Sequence, residues 1–77
     1  MKEVTSILEN DRFEVFVHHL SKTLTLFDKH CSCVLLNTED TNNNRRLYQV
    51  FAELLDDRCR LDPAFAESFT KENDNAD

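Results

Sequence analysis

Glycine is absent from this chain, and proline occurs once, at Pro63. Those residues build most tight hairpins, bulges and phosphate-cradling loops, so their scarcity argues against a glycine-rich nucleotide site and against a meander of short strands. Helices tolerate such a composition best. The β-branched residues are scattered, and no segment reads as alternating apolar and polar residues between two turn signals. There is no run of 18 or more apolar residues and no charged-then-apolar leader, so neither a membrane span nor a secretory signal is expected. A cytoplasmic location follows as the expectation.

Positive charge is also scarce. Nine Lys and Arg face fifteen Asp and Glu, for a formal net charge of −6. That field repels phosphate backbones and argues against nucleic acid as a partner. Cys31, Cys33 and Cys59 are odd in number and two of them lie only two apart, a poor disulfide framework that suits reduced thiols. At 77 residues the chain makes one domain. A core of that size leaves a few kcal/mol of net stability, so a disulfide, a metal or a second subunit is a common supplement.

What the chain does have is periodicity. Phe13, Val17, Leu20, Leu24, Phe27, Cys31 and Val34 are spaced alternately four and three apart, with Phe16 and Leu35 beside them. This spacing predicts one long helix over about 12–36, roughly 36 Å in length, opened by a capping box of Asp11 and Glu14. Val4, Ile7 and Leu8 allow a short N-terminal helix over 1–9. The polar stretch Asn37 to Asn44 reads as the connecting loop, its asparagines standing in for glycine.

A second helix is expected over about 44–60, with Leu47, Val50, Phe51, Leu54, Leu55 and Leu61 inward and Arg46, Gln49, Glu53, Asp56, Asp57 and Arg60 outward. Asp62 followed by Pro63 marks the start of a short C-terminal helix over about 63–70 that carries Phe65 and Phe69. The expected fold is therefore all-α: a small helical hairpin over 1–70, followed by a disordered acidic tail over 71–77. The short residues flanking the seam, among them Ser21 and Thr23, favour an antiparallel helical bundle with another chain over an isolated coiled coil.

Catalysis has no support in the motifs. No serine has a base and acid at motif spacing, and there is no phosphate loop and no HExxH. No cofactor or metal is expected either. His30, Cys31 and Cys33 suggest zinc by type alone, and on a helix residues two apart point about 200° from each other. The expectation is a small acidic protein-interaction module, an adaptor, regulator or inhibitor, acting as a dimer or heteromer through Phe13, Phe16, Val17, Leu20, Phe27, Phe65 and Phe69. Helper chaperones of secretion systems share such an architecture, an analogy that assigns no residue a role. Two other classes stay open: an RNA-binding regulator using Lys22, Lys29, Arg45 and Arg46, and a metal or redox switch using Cys31, Cys33 and Cys59.

Overall fold

Phe13, Val15 and Val17 alternate with Glu14, Phe16 and His18, and Leu24 and Leu26 alternate with Thr23, Thr25 and Phe27. Such a two-residue period builds strands, and strands are what form. A computed structural model of the protein describes residues 3–74, with side chains through Ser68. Strands β1 (Val4–Glu9), β2 (Phe13–His18), β3 (Thr23–Asp28) and β4 (Cys33–Glu39) are followed by helices α1 (Asn42–Leu61) and α2 (Pro63–Asp74). The strands form one antiparallel sheet in the order β1-β2-β3-β4, and α1 lies across one face of it against β2 and β3.

The all-α expectation is thereby overturned, and with it the long helix over 12–36, the coiled-coil seam and the helical bundle. The four-three spacing arises from two adjacent strands of a hairpin. Phe13 and Val17 lie on β2, Leu24 and Phe27 on β3, and Leu20 lies in the turn between them. The N-terminal helix over 1–9 is instead β1. Asp11 and Glu14 do not cap a helix: Asp11 sits in the β1–β2 turn and Glu14 on β2, paired with Glu9.

The turns form without glycine because other residues take its place. Lys22 and Ser32 adopt left-handed backbone conformations, with φ of 57° and 56°, each at the end of a four-residue turn. In the β1–β2 turn the Asn10 side-chain oxygen accepts from the backbone N–H of Arg12 (3.2 Å) and of Phe13 (2.8 Å). Its amide nitrogen donates to the carbonyl of Ala52 at 3.0 Å, which ties that turn to α1. The asparagines expected to bend the backbone at 42–44 are instead the first residues of α1, capped by Thr41. Asn37 belongs to β4, so the loop expected over Asn37 to Asn44 shrinks to Asp40 and Thr41.

Register decides which side chains enter the core. Val17 pairs with Leu24 and Val15 with Leu26, and Phe13 pairs with Asp28 at the end of the same face. Phe13, Val15, Val17, Leu24, Leu26, Tyr48 and Ala52 form the buried core, with Ile7, Leu8, Leu35, Leu55 and Cys59 packed around it. Fully burying side chains of the larger kinds contributes about 1.5–3 kcal/mol each. Ala52 is completely buried. A methyl group at that point lets the helix axis approach the sheet.

α1 faces the sheet with a different side from the one its large apolar residues suggest. Tyr48, Ala52 and Asp56, four apart, point inward, while Leu47, Val50, Phe51, Leu54 and Leu61 are exposed. Asp56 is inside because it is satisfied there. Its Oδ1 accepts from the Arg12 backbone N–H at 3.1 Å, and its Oδ2 lies 3.6 Å from Arg60. α2 begins at Pro63, where Asp62 accepts from the Phe65 N–H at 3.3 Å. The tail expected over 71–77 falls partly on α2, which runs to Asp74, and residues 75–77 lie outside the described residues.

Candidate protein-binding surfaces

A sheet with one helix covers one of its faces. The strand pattern that sends Val15, Val17 and Leu26 toward α1 sends Glu14, Phe16, His18, Thr25 and Phe27 to the opposite side. On that side the Phe16 and Phe27 rings meet edge to face with centroids 6.0 Å apart. They sit on diagonal positions of neighbouring strands, where long side chains reach each other. Val34, opposite Phe27 on β4, is 60% exposed, and Val4, opposite His18 on β1, is 41% exposed. Among the described residues, no helix packs on this face.

Polar side chains frame the aromatic pair and hold one another. Thr25, nearly buried between strands, exchanges a hydrogen bond with His18 Nε2 at 2.9 Å and reaches Asn37 Oδ1 at 3.4 Å. The register puts Glu9 and Glu14 in one row with Phe27 and Val34, and Glu39 at the far corner beside Thr23. Lys29 Nζ donates to Glu9 at 2.9 Å, and this partner raises the lysine's pKa. Lys29 thus offsets the charge of Glu9, while Glu14 and Glu39 add carboxylates elsewhere on the rim.

A second apolar surface runs along the outer side of α1. Leu47, Val50, Phe51 and Leu54 make a stripe at helical spacing, continued about two turns further on by Leu61. Arg46 and Glu53 are exposed at its edge. The sequence reading placed these leucines in the core because the largest apolar side chains usually face inward. The four-residue series Tyr48, Ala52, Asp56 was the signal for the true inner face, masked by the carboxylate at its end.

The third feature is a cleft of about 590 Å³ where the β1–β2 and β3–β4 turns approach α1 and α2, lined by Arg12, His30, Asp56, Cys59 and Arg60 among others. Beside it lies a buried ion pair, Arg12 Nη2 to Asp28 Oδ2 at 3.2 Å, with side-chain exposures of 6% and 0%. Arg12 Nε donates to the same oxygen at 3.3 Å, and Asp28 Oδ1 accepts from the His30 N–H at 2.9 Å. These bonds tie the two turns to each other, and the Arg12 N–H bond to Asp56 and the Asn10 bond to Ala52 tie them to α1. No buried side-chain nitrogen or oxygen among the described residues lacks a partner, so the cleft presents no unsatisfied group aimed at a ligand.

The seven residues named from sequence are thus separated. Phe13 and Val17 are fully buried core, while Phe16 and Phe27, both half-buried, form the ring pair on the face opposite α1. Leu20, 76% exposed, lies in the β2–β3 turn. Phe65 is half-buried with the Arg58 guanidinium 4.8 Å over its ring, and the side chain of Phe69 lies outside the described residues. Val4 and Val34 were missed, because both faces of β2 and β3 carry apolar groups and the strand alternation was read as a helix.

The basic and thiol clusters do not assemble. Arg45 is paired with Asp40 through contacts of 2.6 and 2.8 Å, and Lys29 with Glu9 at 2.9 Å. No disulfide joins the three cysteines, and no group of three His, Cys, Asp or Glu among the described residues has a metal-holding arrangement. Cys31 lies in a turn and Cys33 opens β4, so the helical argument against chelation no longer applies to them. Cys33 Sγ donates to the Cys31 carbonyl at 3.2 Å. Burial, aided by Cys33 and Asp28, pushes the Cys31 thiol up to about 12, and burial also raises Cys59. Both shifts disfavour the thiolate that redox or metal chemistry requires.

No helix among the described residues is long and apolar enough to cross a membrane. Comparison with protein families, with curated proteins and with solved structures finds no match for the chain.

Proposed function

We propose that this protein is a binding module that docks another protein on the uncovered face of its sheet. The observation that carries this reading is the Phe16–Phe27 ring pair, placed on the face opposite α1 and bordered by exposed Val34 and Val4. Aromatic side chains flanked by apolar neighbours give large contact area at little entropic cost, which is the composition of interface centres. Glu14 and Glu39 on the rim favour a partner whose apolar patch is bordered by Lys or Arg.

An adaptor, regulator, inhibitor or helper chaperone would each use such a face. The reading makes the protein a binder and not an enzyme: the Arg12, Asp28 and Asp56 groups near the cleft are spent on one another and on the backbone. An RNA-binding role is less well supported, because Lys29 and Arg45 are engaged by carboxylates.

The test is affinity capture with the wild type beside Phe16→Glu, Phe27→Glu and a Leu20→Glu control, with circular dichroism to confirm folding. A partner retained by the control and lost by both phenylalanine variants is expected. Retention of every partner by well-folded Phe16→Glu and Phe27→Glu proteins would overturn the reading.

A further inference from the structure

The outer stripe of α1 is a separate surface from the sheet face, and its sequence has a near-twofold pattern. Leu47 and Leu54 lie at equal distances from the point midway between Val50 and Phe51, and Arg46 and Glu53, seven residues apart, flank the stripe on one side. All of these are exposed. We propose that α1 pairs antiparallel with the α1 of a second copy of this chain, about a twofold axis passing near Val50.

Three features favour a second copy over another occupant. In the antiparallel arrangement Leu47 lies beside Leu54 of the second copy and Val50 beside its Phe51, so each large apolar residue of the first turns meets another. In the same arrangement Glu53 of the second copy lies two residues, about 3 Å along the helix axis, from the level of Arg46, within reach of that long side chain, and symmetry repeats the contact. A parallel pairing would instead level each charge with its own copy, Arg46 with Arg46 and Glu53 with Glu53. The chain also makes no disulfide, and a 77-residue core gains from a second subunit.

Beyond the paired stripe, Asp57 and Arg58 fall opposite the asparagines that open the second copy's helix, Asn42 to Asn44, so no like charges are forced together. Leu61, 82% exposed, lies past the region of overlap and contributes little to this contact. The sheet faces point away from the shared helices. Each dimer therefore presents two copies of the Phe16–Phe27 surface, although self-association does not depend on that surface having a partner.

Sedimentation equilibrium over a range of concentrations tests the proposal on the full chain. The wild type is expected to associate as a dimer, and Arg46→Glu and Glu53→Arg are each expected to weaken association at least tenfold. The double variant Arg46→Glu/Glu53→Arg should restore it. Leu54→Asp, at a site 61% exposed, should give a monomer with an unchanged circular dichroism spectrum. A wild type that stays monomeric throughout overturns the proposal. So does a dimer indifferent to all three single changes, a double variant without recovery, or a dimer dissolved by Phe27→Glu instead. A monomeric wild type, or a dimer indifferent to the α1 changes, leaves partner capture by the sheet face untouched, so the two proposals fail separately.

Discussion

Asp28 is the residue on which the arrangement of the turns depends. It is fully buried, bonded to Arg12 through two nitrogens and to the His30 backbone, and Arg12 in turn holds Asp56 of α1 through its own N–H. Removing one partner of a buried pair leaves the other charge in a poor environment, at a cost of about 3–5 kcal/mol. Asp28→Ala is therefore expected to lower the urea midpoint far enough to leave a substantial unfolded population at room temperature. An Asp28→Ala protein as stable as the wild type would show that the pair is dispensable. None of this pair was legible in sequence. Arg12 and Asp28 look like ordinary surface charges until the β2–β3 register brings Phe13 opposite Asp28 and closes the gap between them.

At the scale of elements, the two four-residue turns carry the consequence of having no glycine. Lys22 and Ser32 occupy the left-handed region, where a Cβ crowds the following carbonyl at a cost of about 1–2 kcal/mol. Lys22→Gly and Ser32→Gly remove that crowding and are each expected to stabilise the fold by up to about 1 kcal/mol, once the greater freedom of glycine in the unfolded chain is subtracted. Unchanged or lower urea midpoints in both variants would refute the assignment of strain to these positions. The edge strands show another device. β1 carries a bulge between Ser6 and Leu8, and β4 an irregularity opposite Leu26 and Phe27, which twist the edges and make further strand addition less favourable.

The elements also show where sequence reading succeeds and where it fails. α1 was legible from its apolar residues at helical spacing and α2 from Asp62 before Pro63, signals that act within a few residues, whereas the Thr41 cap of α1 was read as loop. The sheet was not, since hairpin periodicity over two strands can imitate a helical stripe. The inferred dependence of turns on glycine was also too strict. The functional face suffers from the same ambiguity: Phe16 and Phe27 were identified as candidates, but only the pleat separates them from the buried Phe13 and Val17.

For the whole molecule, the titrating groups set the pH range of stability. Cys31 is pushed up to about 12, and Cys59 and Tyr48 are raised by burial. A raised value means that the folded state holds the proton more tightly than the unfolded one, so this contribution is complete below the ordinary thiol value near 9 and is lost as the pH climbs toward 12. Asp40 behaves in the opposite sense. Its bond to Arg45 lowers its pKa, so its contribution is present above the ordinary carboxylate value and disappears as the pH falls through the lowered one. Urea unfolding followed from pH 6 to 11 is expected to show a level region and then a decline that begins near pH 9. Stability that holds level up to pH 11 would contradict the buried-thiol assignment.

The sequence by itself determined the chain's acidity, the absence of an apolar run long enough to span a membrane, and the presence of two helices, the second with its Asp62 cap, since charge, hydropathy and short-range spacing are local properties. The tertiary structure alone decided that the central apolar residues form a sheet, that Asp28 and Arg12 meet, and that Leu47, Leu54 and Leu61 of α1 face outward. Each of these depends on register and on which face a neighbour covers. A shift of one residue in a strand would exchange Phe16 for Val15 or Val17 in the core, and a spacing pattern read along one strand cannot record which of those faces the helix takes.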